Sequence, residues 1–403
     1  MIQVTYVFLL LIMLSCLFIS GNRIKRNFSV LKAFPIGIIA YSLNEGLRFG
    51  RGIDFNLYCP SYYETIHNNY TDFEFLYTAI IKLFGLFDVP YQGFIFFQSL
   101  FLVTCFFVFI LRFRQIADYA LFLLPIFTLA ATENLIRWFF AYSFILLGLY
   151  VLMGKSKNKI YWYVLFSFLA LQCHIWMLPV CVGYFVINLM NKPLMKPLYS
   201  IALFLLITFV FQTDYLLSMS KMFDFLASSA KYSNYVDNID YWLLGGARQE
   251  ASTYLNISTY LLLLVIVYYG YKIIDINDKK YVFIYNLFLI GFITKPIARA
   301  SELINRFNVL FYMFQFIIAA YIIYTYVKQN DKFLPKAINR IFVSIVLFYT
   351  VINFICSPLK ESQYHFLYVW DKKNKSECFS NIEIKNYWLN DNEKKIKLRK
   401  SSF

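Results

Sequence analysis

The chain has 403 residues, of which 60% are hydrophobic, 21% aromatic and only 15% charged. Soluble domains carry about a quarter charged residues, so this composition excludes a soluble globular protein. The net charge of +15 sits in short clusters between apolar runs, the pattern of cytoplasmic loops rather than of a nucleic-acid-binding face.

Apolar runs of roughly 15–22 residues, the length that crosses a bilayer as a helix, fall at 2–20, 28–46, 91–111, 119–132, 135–153, 160–173, 175–190, 197–212, 253–271, 281–294, 306–327 and 340–357. They predict an all-α polytopic membrane protein with about twelve transmembrane helices. Continuous rather than alternating apolarity argues against a β-barrel. The short runs 119–132 and 160–173 are expected to be tilted, broken or re-entrant, which is tolerated beside a protein-lined cavity. The first run has no basic segment ahead of it and carries Arg23, Lys25 and Arg26 behind it. It therefore reads as a span entering from outside and not as a cleaved signal. With the N-terminus outside, the inner loops are 21–27, 112–118, 154–159, 191–196, 272–280 and 328–339, nearly all of them basic. Residues 1–357 then form one integral membrane domain, and 358–403 a polar tail whose basic charge conflicts with the outer side that twelve spans assign to it.

Two longer segments, 47–90 and 213–252, fall on the outer face. Residues 73–87 of the first have the pattern of an amphipathic helix at the membrane surface. In the second, Lys231, Tyr232 and Tyr235, with Tyr241 and Trp242, put aromatic rings near the interface. Such rings suit either an aromatic belt or the C–H faces of sugars. Seven cysteines without CxxC or metal-ligand spacing read as small hydrophobes in helices, and three scattered histidines are too few for a zinc site. No metal and no cofactor is expected.

Charged residues where lipid should forbid them mark the candidate chemistry. An ionisable group at bilayer depth costs about 2.5–3.5 kcal/mol even on insertion scales, so several of them imply a polar cavity. Arg48, Arg51 and Asp54 cluster after the second run, with Gly50 and Gly52 allowing a tight turn close to a ligand. The two arginines offer forked donors suited to phosphate, or else cap the span through internal ion pairs. Asn134 and Arg137 share one helix face at the start of a run, His174 sits between two runs, and Lys295, Arg299, Glu302 and Arg306 are spaced four, three and four apart. That spacing predicts a single helical stripe starting at Pro296, long enough to follow a pyrophosphate and its sugar. All four constellations fall at the outer face. Asp54 or His174 could take a proton from a hydroxyl, and several arginines could stabilise a departing pyrophosphate without metal.

In order and spacing these residues resemble the EpsG family of bacterial exopolysaccharide proteins, which is related to Wzy-type polysaccharide polymerases. The resemblance runs through Arg48-Phe-Gly, Gly52-Ile-Asp54-Phe and Tyr58, then Phe73-Glu74-Phe75-Leu76-Tyr77, Leu135-Ile-Arg137, His174, Lys231-Tyr232 with Tyr235, and Asn305-Arg306-Phe. Family members usually have Thr-Asp-Tyr where this chain has Ile53-Asp54-Phe55, and a Ser or Thr soon after the histidine where it has Ile175-Trp176. The resemblance implies a glycosyltransferase of the bacterial inner membrane, compatible with a GT-C-like architecture. It would polymerise undecaprenyl-pyrophosphate-linked repeat units into capsule, exopolysaccharide or O-antigen by metal-independent transfer at the outer face. Arg48, Arg51, Arg137, Arg299 and Arg306 would bind the pyrophosphate with Glu302 orienting them, and Asp54 or His174 would be the base. Besides the lipid-linked glycan and the bilayer, a chain-length regulator and a flippase of the same pathway are the partners it implies. Another membrane transferase using a lipid-phosphate sugar or acyl donor, or a flippase for lipid-linked oligosaccharide, also fits a cationic outer cavity.

Overall fold

The computed structural model describes residues 2–67, 73–210, 253–273, 278–300, 302–328, 341, 344–346, 348–349 and 368–371. Among these residues the regular elements are helices, and the only β pairing is a single antiparallel bridge between Arg48 and Tyr368.

Helix α1 (Ile2–Lys25) is apolar on every side. It buries Tyr6, Leu10, Met13, Leu14 and Leu17 but exposes Val4, Phe8, Leu11 and Ile12. A buried stripe with an equally apolar outer face suits a helix that packs on protein on one side and on lipid on the other. Next come α2 (Val30–Ala33), α3 (Pro35–Gly46), α4 (Ile53–His67), α5 (Phe75–Gly85) and α6 (Tyr91–Ile110). A 3₁₀ segment, Leu111–Ile116, joins α6 to α7 (Ala117–Asn134). Then follow α8 (Ile136–Leu152), α9 (Lys159–Leu171), α10 (Leu178–Asn188) and α11 (Pro197–Val210). The last four are α12 (Thr253–Ile273), α13 (Lys279–Ala300), α14 (Glu302–Tyr312) and α15 (Gln315–Lys328).

Four stretches, Gln3–Lys25, Tyr91–Asn134, Lys279–Ala298 and Ile304–Thr325, are long and apolar enough to cross a membrane, and shorter apolar helices accompany them. The protein is a multi-pass helical membrane protein. Eleven of the predicted runs coincide with helices, while the run at 340–357 lies almost wholly outside the described residues.

The helices define two ends. Tyr6 lies under the Arg51 guanidinium, whereas Lys25 at the other end of α1 is ion-paired with Asp118 at the start of α7. The rise between Tyr6 and Lys25 is about 28 Å at 1.5 Å per residue, close to the thickness of a bilayer's hydrocarbon core. α7 returns to the first end, where Glu133 meets Arg51. Contacts of Arg112 with Tyr150, of Gln115 with Tyr281, and of Lys25 with the Tyr324 ring gather the opposite termini of α8, α13 and α15 at the lysine end. The arginine end holds α4 and α5. Tyr368 also stands there, with the Val369 amide bonded to the Leu47 carbonyl at 3.0 Å, so residues 368–371 lie at the arginine end.

Three expectations change. The segment 47–90 contains a second helix, α4, which the interspersed Asn, Tyr and Pro60 conceal, although its buried Phe55, Cys59 and Tyr62 are spaced as one helical face. Cys59 is disulfide-bonded rather than a plain small hydrophobe, while Cys16, Cys105, Cys173 and Cys181 are free. The stripe from Lys295 to Arg306 is not one helix: α13 and α14 fold back on each other. Asn308 donates to the Gly291 carbonyl and to Thr294 Oγ1, both at 2.7 Å. A Cβ on Gly291 would stand 2.4 Å from the Tyr312 nitrogen, so glycine is what lets the two helices touch. Pro296 lies inside α13, near its end, and not at a helix start.

Candidate functional site

The arginine end carries two charged clusters joined by α4. In the first, α3 ends with Asn44 and Glu45 inside the protein. Glu45 accepts from Asn44 Nδ2 at 2.9 Å and from Arg48 Nη1 at 2.8 Å. Arg51 is wholly buried; its Nη1 lies 3.1 Å from Glu133 Oε1 and its Nη2 donates to the Asn44 carbonyl at 2.7 Å. The guanidinium is held between the rings of Tyr6, at 5.1 Å, and Tyr368, at 4.7 Å. Gly50 and Gly52 make the turn that brings it there, with φ of 67° and 82°. A Cβ on Gly52 would come within 2.4 Å of the Glu133 carbonyl oxygen, so the glycine's close approach is to the end of α7. Tyr368 donates to Asn44 Oδ1 at 2.6 Å and stacks on Trp370. Burial pushes its phenol up to about 12, against the opposing pull of Arg51, so the hydroxyl keeps its proton.

Beside this cluster is a cavity of about 20 Å³ bordered by Tyr41, Glu45, Arg48, Gln98, Ser99 and Thr132, room for one water. Arg48 Nε and Gln98 Oε1 make no hydrogen bond among the described residues, and both residues border that space.

The second cluster is built around Arg137, in the first turn of α8. Its Nη1 donates to Glu74 Oε2 at 2.9 Å, and its guanidinium faces Phe73 at 5.1 Å and Tyr58 at 5.9 Å. Unlike Arg51 it keeps 15% of its side-chain surface open. Trp138, the next residue, packs on His174 at 4.5 Å and on Phe307 at 5.2 Å. Phe307 also meets Trp176. These rings bring the turn after α9 and the start of α14 against Trp138, with Arg306 the residue before Phe307. Asp54 is buried in the first turn of α4, one helical turn from Tyr58.

The predicted site residues thus divide. His174 packs on Trp138, the residue after Arg137, while Asp54 and Arg306 lie on the helices whose Tyr58 and Phe307 reach Arg137 and Trp138. Arg48 and Arg51 turn inward onto Glu45 and Glu133, the internal alternative that the sequence left open. Lys295 lies on α13 with its ammonium 4.5 Å from the Tyr312 ring. Arg299 and Glu302 fall at the α13–α14 junction with side chains outside the described residues, and Lys231, Tyr232 and Tyr235 lie outside them entirely. Among the described residues no three His, Cys, Asp or Glu side chains are grouped to hold a metal ion.

Sequence reasoning passed over Glu45, Glu133 and Tyr368. Glu45 carried a readable signal, a carboxylate at the end of an apolar run with an arginine three residues on. The pairing of Arg51 with Glu133 and Tyr368 joins distant stretches, and no local pattern announces it.

The EpsG family model matches residues 31–368, from the helices before the first cluster to the tyrosine that closes it. No curated protein and no solved structure matches the chain.

Proposed function

Because the chain belongs to the EpsG family, we propose that it polymerises a lipid-linked glycan into exopolysaccharide, with the Arg137 cluster as its reaction site. Family membership points to a role in exopolysaccharide biosynthesis. The observation that carries the finer reading is a partly open arginine beside a histidine at the end of the bundle opposite the lysines. The orientation follows from charge and redox chemistry. Lys and Arg favour the cytoplasmic side, and disulfides persist in oxidising compartments. Lys25, Arg112 and Lys280 belong to one end and the disulfide-bonded Cys59 to the other. The arginine end therefore faces outward, where undecaprenyl-pyrophosphate-linked repeat units would be joined.

In the proposed transfer, the terminal hydroxyl of one repeat unit attacks the anomeric carbon of a glycan held on undecaprenyl pyrophosphate. The new C–O bond forms as the bond from that carbon to the pyrophosphate oxygen breaks. The leaving group carries the electron pair and the negative charge away. Arg137 and Arg306 would neutralise it, and such preorganised donors act more strongly in a water-poor site than in solvent. The hydroxyl proton goes to His174 or Asp54, which approach the cluster by way of Trp138 and Tyr58. Arg48 and Arg51 maintain the turn that orients α4 and hence Asp54 and Tyr58. Arg299 and Glu302 would extend the cationic surface at the α13–α14 junction, and Lys231, Tyr232 and Tyr235 would contact the glycan.

Full-length protein in lipid vesicles, supplied with an undecaprenyl-pyrophosphate-linked repeat unit, is expected to produce a ladder of multiples. A vesicle reaction that leaves only the single unit, with the protein folded, would overturn the reading.

A further inference from the structure

Glu74 has no part in the bond-making steps above, yet its carboxylate reaches two elements at once. Oε2 accepts from Arg137 Nη1 at 2.9 Å, and Oε1 accepts from the Ile175 amide at 3.3 Å. Ile175 opens the 3₁₀ turn Ile175–Met177 that leads into α10. The first N–H groups of a helical run have no partner inside it, so Glu74 caps that run from another part of the chain. His174, just before the turn, is extended, with φ −159° and ψ 108°. The cap thereby fixes where the chain bends and where the imidazole meets Trp138. Glu74's own segment is tied down by the Leu76 amide, which donates to the Gln172 carbonyl at 2.9 Å.

A carboxylate beside an arginine meant for an anion lowers the local positive charge. What it supplies instead is alignment. With one oxygen on the guanidinium and the other on the turn, a single side chain sets the spacing between Arg137 and His174. The Nε of Arg137 has no hydrogen bond among the described residues, and part of its side chain remains open.

We infer that Glu74 is a positioning residue that holds Arg137 and the His174 turn in register for the anionic leaving group and the acceptor hydroxyl. Its geometry stands by itself; its consequence for rate rests on the transfer reading above.

The test compares Glu74→Ala and Glu74→Gln in the full-length protein in membranes. Cys173 is free, buried and adjacent to His174, so its labelling by a maleimide reports loosening of the turn, with the label located by peptide mass spectrometry. Glu74→Ala is expected to raise Cys173 labelling at least fivefold and to leave single repeat units. Glu74→Gln keeps an oxygen for the Ile175 amide but loses the charge on Arg137. It is expected to keep Cys173 protected while raising KM for the lipid-linked repeat about tenfold and lowering kcat, since Arg137 would meet both the bound and the departing pyrophosphate. A merely structural residue would lower the amount of active protein without moving KM. Wild-type KM in Glu74→Gln, or a protected Cys173 in Glu74→Ala, would overturn the inference. If Glu74→Ala fails to accumulate, the KM of Glu74→Gln decides. Failure of the transfer reading is distinguishable, because the wild type then makes no multiples while Cys173 labelling still tells whether Glu74 holds the turn.

Discussion

Arg51 and Arg137 stand at the same end of the bundle, and both pair with a glutamate far away in sequence, yet their surroundings assign them different work. Arg51 has no exposed surface and lies between two tyrosine rings against Glu45 and Glu133. Arg137 meets one carboxylate and two aromatic faces and remains partly open. A guanidinium enclosed by two carboxylates and two rings presents no open surface to a ligand. One that is held on a single side can still receive an anion. An arginine at membrane depth is thus informative only once its carboxylates are counted.

This contrast can be broken in steps. The largest expected effect is Arg51→Ala, which leaves Glu45 and Glu133 facing each other in the interior with one cation fewer. Breaking a buried pair costs about 3–5 kcal/mol, so the variant is expected to accumulate poorly in membranes and to melt far below wild type after solubilisation. Normal abundance and melting would remove Arg51 from the scaffold. Gly52→Ala puts a side chain at φ 82° and against the Glu133 carbonyl. Strain of that kind costs about 1–3 kcal/mol, read as a melting temperature lowered by several degrees. Tyr368→Phe removes one hydrogen bond to Asn44 and keeps the ring over Arg51. About 1 kcal/mol is expected, and a glycan ladder unchanged in length would accompany it if the first cluster is scaffold. A shortened ladder at normal stability would instead put the tail's tyrosine in the reaction site.

Much of this architecture could be read from the amino acids because a helix in a bilayer must be apolar along its length, and the runs between 91 and 173 match α6 to α9 within a few residues. The charge asymmetry between the two ends was legible for a similar reason, since each inter-helix turn carries its own local record. Helix α4 was harder, because its stripe of Phe55, Cys59 and Tyr62 is diluted by polar residues, some buried, as Asp54 and Thr65 are, and some exposed, as Glu64 is. The stripe from Lys295 to Arg306 failed for another reason. Helical spacing continues across a reversal without a mark, and the hairpin shows only in space, where Gly291 meets Tyr312 and Asn308 bonds to Gly291 and Thr294. At the candidate site, the residue types were visible but their partners were not. Arg48, Arg51 and Arg137 look alike in sequence, and what separates them is the position of Glu45, Glu133 and Glu74 in space.

The most direct measurement sets membrane abundance beside glycan chain length for Arg51→Ala and Arg137→Ala, each expressed in a strain lacking its own copy of the gene. Arg137→Ala is expected to accumulate at near wild-type level and to leave single repeat units, with elongation slowed about a hundredfold, the scale of losing one preorganised donor. Arg51→Ala is expected to fail in abundance first. A full ladder from an abundant Arg137→Ala protein would contradict the division between the two clusters and remove Arg137 from the reaction site.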